Sequence, residues 1–203
     1  MRILKMKMSS SGETYMVSLE NEETIKMEAE TVLKFHLKEG ETYENDFWQE
    51  VLADNNYLST RRRAFNILGY HAQSEKQLYL KLREKADKET ASAVTQKMRE
   101  LGLIDDEKLL KEKVRQLVLV KKYGRKRIVC DLSQKGFAPA EINSAIDELE
   151  TDDVGMVCEI IEKKYLSVLS DGDYKTVQKV TASLLRRGFG YDTIKAAISQ
   201  YTN

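Results

Sequence analysis

The side chains best suited to binding chemistry form a dense basic cluster in the second half of the sequence. It consists of Lys121, Lys122, Arg125, Lys126 and Arg127, with Tyr123 and Gly124 between them. Cations at this density attract phosphates or carboxylates, and the tyrosine ring offers a surface on which a base can stack. A solvent-exposed corner between two helices would have the same composition. Both interpretations remain open from the residues alone.

Two further groups of basic residues are candidates for the same role. Arg61, Arg62 and Arg63 are consecutive and cannot share one helix face, so we expect one or two of them to form internal salt bridges. Docking and salt bridges are equal alternatives for this triplet. A repeated basic ridge is also predicted, formed by Lys81, Arg83, Lys85, Lys135, Arg186 and Arg187. For Lys85, Lys135 and Arg187, capping of a helix end explains the basic residue equally well.

Residues typical of catalysis or metal binding are isolated from one another. His36 and His71 have no cysteine or carboxylate at ligand spacing, which argues against a metal site. Cys130 and Cys158 are predicted to be buried or inert thiols on helices and not nucleophiles. The pair Asp105–Asp106 fits the start of a helix, and the sequence has no phosphate-binding glycine loop of the GxxxxGKS/T or GxGxxG form. We therefore expect no enzymatic activity, no metal and no cofactor.

The overall charge balance conceals an asymmetry between the two ends of the chain. The 203 residues include 33 basic and 33 acidic side chains, of which 6 basic and 12 acidic lie in residues 1–60. The remaining positive excess suits docking on an anionic surface. No run approaches the roughly 18 apolar residues of a membrane span, and the charged start lacks a signal-peptide core. With only two cysteines, a reduced cytoplasmic protein that does not associate with membranes is expected.

The elements that must position these residues fall into two kinds. Short β-compatible runs at Arg2–Met8, Tyr15–Leu19 and Thr24–Met27 predict a small antiparallel sheet. A helical pattern follows over Glu28–Leu37, and almost everything beyond Gly40 is helical, with a break expected near Asn55–Asn56. The fold class is therefore mainly α with a small N-terminal β-rich segment.

An internal repeat organises the helical part. Corresponding helix positions carry Leu78, Ile128 and Val180, then Leu82, Leu132 and Leu184, and the second and third sets are followed by Gly136–Phe137 and Gly188–Phe189. Apolar residues four apart form one buried helix face, and the glycine supplies a left-handed stop. We predict tandem three-helix repeats at 61–104, 105–153 and 154–203, preceded by a β-rich segment and linking helix at 1–60.

These segments resemble the RecX family of bacterial RecA regulators. The resemblance is carried by AFNILGYHAQSEKQLYLKLREK at 64–85, LGLIDDEKLL at 101–110, KYGRKRIVCDLSQKGFAPAEI at 122–142 and LLRRGFGYDTI at 184–194. The N-terminal segment resembles the extension found in members from Gram-positive bacteria. The chain departs from the pattern at Tyr70–His71, at Ala86, where the other repeats have glycine, and at Arg125 in place of proline.

The resemblance implies a function as well as a fold. Members of this family are elongated, curved arrays of three-helix repeats that lie in the groove of the RecA–single-stranded-DNA filament. They limit filament growth and damp the ATPase, strand-exchange and co-protease activities of RecA in DNA repair, homologous recombination and the SOS response. The expected partner is the RecA filament, with single-stranded DNA contacted through it, and the chain is expected to be a monomer. The alternative is a helical-repeat nucleic-acid-binding module with another partner.

Overall fold

The computed structural model describes residues 1–169 and 173–201, in two compact units, Met1–Ile104 and Asp105–Asn203. Both units are mainly helical, and the first also contains a small three-stranded antiparallel sheet. The predicted fold class is confirmed in these respects. Within the described ranges, no helix has the length and apolar content needed to cross a membrane.

The sheet opens the first unit. Its strands are β1 (Ile3–Met8), β2 (Thr14–Leu19) and β3 (Thr24–Glu28), in the order β1-β2-β3. Met6, Val17 and Ile25 lie opposite one another on the inner face, which packs against α1 (Ala29–Lys34) and α2 (Asn45–Tyr70). The core between these elements includes the buried residues Ile3, Val17, Met27, Trp48 and Val51.

The predicted break near Asn55–Asn56 is wrong, because α2 continues through both residues. The buried Asn55 amide replaces a missing strand partner for β3. Its Oδ1 accepts the Glu28 N–H at 2.8 Å, and its Nδ2 donates to the Lys26 carbonyl at 3.1 Å. These two hydrogen bonds outweigh the low helix propensity of asparagine. The predicted boundary between residues 60 and 61 also lies inside this helix.

The first unit continues with α3 (Glu75–Arg83) and α4 (Lys88–Glu100). At the start of α3, the Ser74 hydroxyl accepts the Gln77 N–H at 3.3 Å, and the Gln77 side chain accepts the Ser74 N–H at 3.4 Å. This reciprocal cap, formed by a serine and a glutamine three residues apart, fixes the first turn. The repeat positions Leu78 and Leu82 are fully buried.

All the regular elements of the second unit, among its described residues, are helical. Its elements are α5 (Asp106–Arg115), a π-helical turn (Gln116–Val120), α6 (Arg125–Ser133), α7 (Pro139–Asp147), α8 (Asp153–Lys164), α9 (Leu166–Leu169), α10 (Tyr174–Arg186) and α11 (Tyr191–Ile198). Gly136 and Gly188 have φ of 101° and 93°, the left-handed stop predicted after α6 and α10. Phe137 and Phe189, directly after them, fold back on the core of the unit and are buried. The four-part domain division stays a prediction.

Candidate partner-binding surface

A close backbone contact between Gly124 and Gly188, which we call the glycine crossing, holds the basic cluster in place. Gly124, at the start of α6, donates its N–H to the Arg187 carbonyl at 2.8 Å, and the Lys126 N–H donates to the Gly188 carbonyl at 3.2 Å. A Cβ atom at Gly124 would lie 2.4 Å from the Gly188 carbonyl carbon, and one at Gly188 would lie 2.3 Å from the Arg127 nitrogen. Only residues without a Cβ allow this approach. The start of α6 is therefore fixed against the end of α10.

Tyr123 packs between the basic cluster and the core of the second unit. It is partly buried against the core of the second unit, and its N–H donates to the Leu117 carbonyl at 3.0 Å. Lys121 Nζ lies 5.9 Å from the ring centroid and Arg127 Cζ lies 5.5 Å from it. The ring therefore binds two cations of its own cluster, and its stacking on a base stays a prediction.

Three of the five cations in the cluster also form ion pairs. Lys122 Nζ lies 3.2 Å from the Glu159 carboxylate, Arg125 pairs with Asp147, and Arg127 Nε lies 3.0 Å from Asp131. Exposed pairs of this kind contribute only about 0–1 kcal/mol, so an external anion can replace the internal partner. The remaining two, Lys121 and Lys126, are exposed and have no ion pair within the described part of the chain.

A second group of cations, only partly predicted from the sequence, lies along α10. Lys175, Lys179 and Arg186 are exposed and recur at intervals of four and seven residues, which places them on one side of the helix. The helix contains no acidic residue from Tyr174 to Arg186. That absence, together with the spacing, was the available signal for Lys175 and Lys179, which the sequence analysis missed.

Arg187 connects α10 to the basic cluster. Its Nη1 donates to the Lys121 carbonyl at 3.3 Å, and its own carbonyl accepts the Gly124 N–H. The end of the basic helix thus meets the start of the cluster at the glycine crossing. We call the combined group the cationic surface, comprising Lys121, Lys122, Arg125, Lys126, Arg127, Lys175, Lys179, Arg186 and Arg187. Lys135 lies beyond the end of α6, is half-buried, and donates its N–H to the Leu132 carbonyl at 3.0 Å.

The arginine triplet lies in the first unit, and all three members form ion pairs. Arg61 contacts Glu30 at 2.6 Å, and Arg63 contacts Glu84 at 2.8 Å. Arg62 contacts both Glu28 at 2.9 Å and Glu13 at 3.5 Å. Burial raises the pKa of the Glu28 carboxyl, and the neighbouring Arg62 opposes that rise. These pairs attach α2 to the sheet and to the segments beside it, and docking by the triplet stays a prediction.

The other predicted residues of the first unit are engaged locally. Lys81 Nζ donates to Gln73 Oε1 at 3.0 Å, and Arg83 Nη1 donates to the Ala86 carbonyl at 2.6 Å. The Arg83 contact caps the end of α3, and the capping interpretation of Lys85, Lys135 and Arg187 stays a prediction. Among the described residues, no group of histidine, cysteine, aspartate and glutamate side chains is arranged to hold a metal ion.

The fold and this surface first define a class: a mainly helical protein with a small N-terminal sheet and an exposed cationic surface. Residues 151–198 match the third three-helix domain of RecX. The chain is 31% identical to the regulatory protein RecX of Clostridioides difficile (strain 630) over 175 residues, covering 86% of this chain and 82% of that protein. The chain therefore belongs to the RecX family of regulatory proteins, as the resemblance predicted.

Other relatives agree with this assignment. The regulatory protein RecX of Streptococcus pyogenes serotype M1 is 26% identical over 196 residues, covering 95% of this chain and 75% of that protein. The crystal structure of RecX from Lactobacillus salivarius has a TM-score of 0.64 and 29% identity, covering 73% of this chain and 97% of the other. Another crystal structure of a regulatory protein RecX has a TM-score of 0.70 at 20% identity, covering 97% and 98% of the two chains. This last likeness concerns the fold.

Proposed function

We propose that this chain is a non-enzymatic, monomeric regulator that binds in the groove of the RecA–single-stranded-DNA filament in the cytoplasm and mainly inhibits RecA. Membership of a family of regulatory proteins supports this proposal. The observation that carries it is the cationic surface, in which Lys121, Lys126 and Lys179 are exposed and form no ion pair among the described residues. Ammonium groups without an internal ion pair can contact phosphates or filament carboxylates.

The mechanism follows from charge and rigidity. A nucleoprotein filament is a polyanion, and cations that replace its counterions gain free energy without needing a particular base sequence. Because the glycine crossing fixes α6 against α10, the two arms of the cationic surface are presented together and little ordering is needed on binding. Occupation of the groove would oppose the changes that accompany filament growth and ATP hydrolysis.

The first test measures ATP hydrolysis by a purified bacterial RecA on single-stranded DNA. The wild-type chain should slow hydrolysis when present well below the RecA concentration. The variant K121E/K126E/K179E turns three attractions into repulsions and should bind about a hundredfold more weakly, since exposed pairs are each worth about 0.2–1 kcal/mol. A matched control, K76E/K88E/K108E, changes the charge equally at three exposed lysines outside this surface and should inhibit like the wild type.

Two results would reject the proposal or its site. Unchanged ATP hydrolysis with the wild-type chain, at any ratio to RecA, contradicts the function. Equal inhibition by the wild type and K121E/K126E/K179E removes the cationic surface from the interface. Far-UV circular dichroism of both triple variants verifies that their helices are intact.

The acid-free face of α10 favours one alternative, a nucleic-acid-binding module with another partner. In that case bare single-stranded DNA would be bound as tightly as the filament. Three phosphate contacts give a slope of about −2 in a plot of log K against log salt concentration. Weak binding to bare DNA, combined with strong binding to filaments, excludes this alternative.

A further inference from the structure

The outer edge of β1 is only partly covered. The segment 40–43 pairs with the start of the strand, where the Ile3 N–H donates to the Glu41 carbonyl at 3.0 Å and the Gly40 N–H donates to the Ile3 carbonyl at 2.9 Å. Farther along, the alternation of the ladder directs the backbone groups of Met6 and Met8 away from β2. Among the described residues these two have no backbone partner on that side. An uncovered edge of this kind is a template for an added strand.

A carboxylate already occupies one position on this edge. Glu39 Oε2 accepts the outward-facing Met6 N–H at 3.0 Å. Its carboxylate stands in for the carbonyl oxygen that a neighbouring strand would supply. The contact is exposed, so an added strand can displace it at small cost.

Lysines give this edge a preference for acidic partners. Lys5 and Lys7 are two residues apart in β1 and therefore share the solvent-facing side of the sheet. On that side Lys7, Met16 and Lys26 lie opposite one another across the three strands. These three lysines are half of the six basic residues in the otherwise acidic segment 1–60. Alternate residues of any extended strand repeat at about 6.7 Å, so carboxylates at alternate positions of an added strand would lie beside Lys5 and Lys7.

The opposite face of the same edge is mainly apolar, although its lining also includes His36, Lys38 and Glu39. Met6, Tyr15, Leu33 and Leu37 line a groove of about 470 Å³ between the sheet and α1. Leu33 is 69% exposed, which is unusual for a leucine beside a core. The side chains that alternate with the carboxylates in an added strand would point toward this groove.

We infer that the outer edge of β1 binds an extended segment of a partner protein in which acidic and apolar residues alternate. The acidic side chains pair with Lys5 and Lys7, the apolar ones enter the groove, and the backbone bonds to Met6 and Met8. A second copy of β1 does not fit, because it would place lysine against lysine. A nucleic acid would use the lysines but neither the strand edge nor the groove.

The test uses the full chain and a fluorescein-labelled nine-residue peptide in which aspartate alternates with valine and leucine. Binding is followed by fluorescence anisotropy. K5E/K7E should weaken binding at least about tenfold, since two cross-strand attractions become repulsions. L33D places a carboxylate in the groove that receives the apolar side chains of the peptide, and should also weaken binding. M8P removes an outward N–H without removing a bond to β2, and should also weaken binding. The control K76E/K88E should bind like the wild type.

Several outcomes would overturn the inference. They are equal peptide affinity for the wild type and K5E/K7E, equal affinity for a peptide of the same composition with its aspartates in one block, or no peptide binding at all. Loss of oligothymidylate binding in K5E/K7E, with peptide binding unchanged, would assign the lysines to phosphate instead. If M8P fails to fold, K5E/K7E and L33D decide the question. The assay contains no RecA, so its result is separate from that of the proposed function.

Discussion

Gly124→Ala is the substitution that most sharply probes how the cationic surface is built. Gly124 has φ of −79°, so alanine is compatible with the backbone and the effect is steric. The new Cβ would lie 2.4 Å from the Gly188 carbonyl carbon and 2.5 Å from the Phe189 nitrogen. Both are backbone atoms, so the two segments must separate by about 1 Å to reach ordinary van der Waals contact.

The expected loss in the free energy of unfolding follows from the hydrogen bonds that this separation breaks. The bonds from Gly124 to Arg187 and from Lys126 to Gly188 would both be lost. Each contributes about 1 kcal/mol, and the overpacking adds about 1–3 kcal/mol, so we expect a total loss of about 3–5 kcal/mol. Gly188→Ala should cost more, because a side chain in the left-handed region adds about 1–2 kcal/mol.

Urea unfolding can separate the two units. Trp48, the single tryptophan, is buried in the first unit, so its fluorescence reports that unit, while circular dichroism at the helix band reports both. Gly124→Ala should shift the dichroism transition and leave the Trp48 transition in place. The control Gly190→Ala meets nothing closer than Thr193 Oγ1 at 3.6 Å and should change stability by less than about 1 kcal/mol. If Gly124→Ala is as stable as the control, the steric reasoning is wrong.

Two further predictions concern the first unit. Asn55→Ala leaves the Glu28 N–H and the Lys26 carbonyl without partners and should destabilise the unit by about 2–4 kcal/mol. Urea unfolding followed by Trp48 fluorescence measures this loss. An unchanged midpoint would contradict the role of the Asn55 amide as a substitute strand partner for β3. The Thr90 N–H and hydroxyl hold the pKa of Asp87 down at about 2, against an ordinary 3.8, so the stabilisation by this carboxylate is complete above pH 3.8 and is lost as the pH falls through 2. The difference in melting temperature between the wild type and Asp87→Asn should therefore shrink as the pH is lowered from about 4 to about 2, whereas a difference independent of pH would refute this.

Local signals in the sequence were sufficient for much of the fold. The alternation in the first 28 residues predicts the three strands, and the recurring Gly–Phe pairs at 136–137 and 188–189 predict helix ends that the structure confirms. These features depend on residues close together in the chain, so a single sequence contains them. Asn55 shows the opposite case, because its role depends on β3, 27 residues away from it at Glu28.

The candidate surface was less predictable for the same reason. Basic residues at 121–127 are evident from composition, but the partners of Lys122 and Arg125 come from α8 and α7. The proximity of Gly124 to Gly188 depends on packing between helices far apart in sequence. For Lys175 and Lys179 the sequence offered only their spacing and the lack of acidic neighbours, and α10 exposes both side chains.

The measurement that tests the central proposal most directly is co-sedimentation with RecA–single-stranded-DNA filaments. The fraction of the chain that pellets is compared for the wild type, K121E/K126E/K179E and the control K76E/K88E/K108E. We predict that the wild type and the control pellet with the filaments and that K121E/K126E/K179E stays in the supernatant. A wild-type chain that stays in the supernatant, or three proteins that pellet alike, would contradict the account.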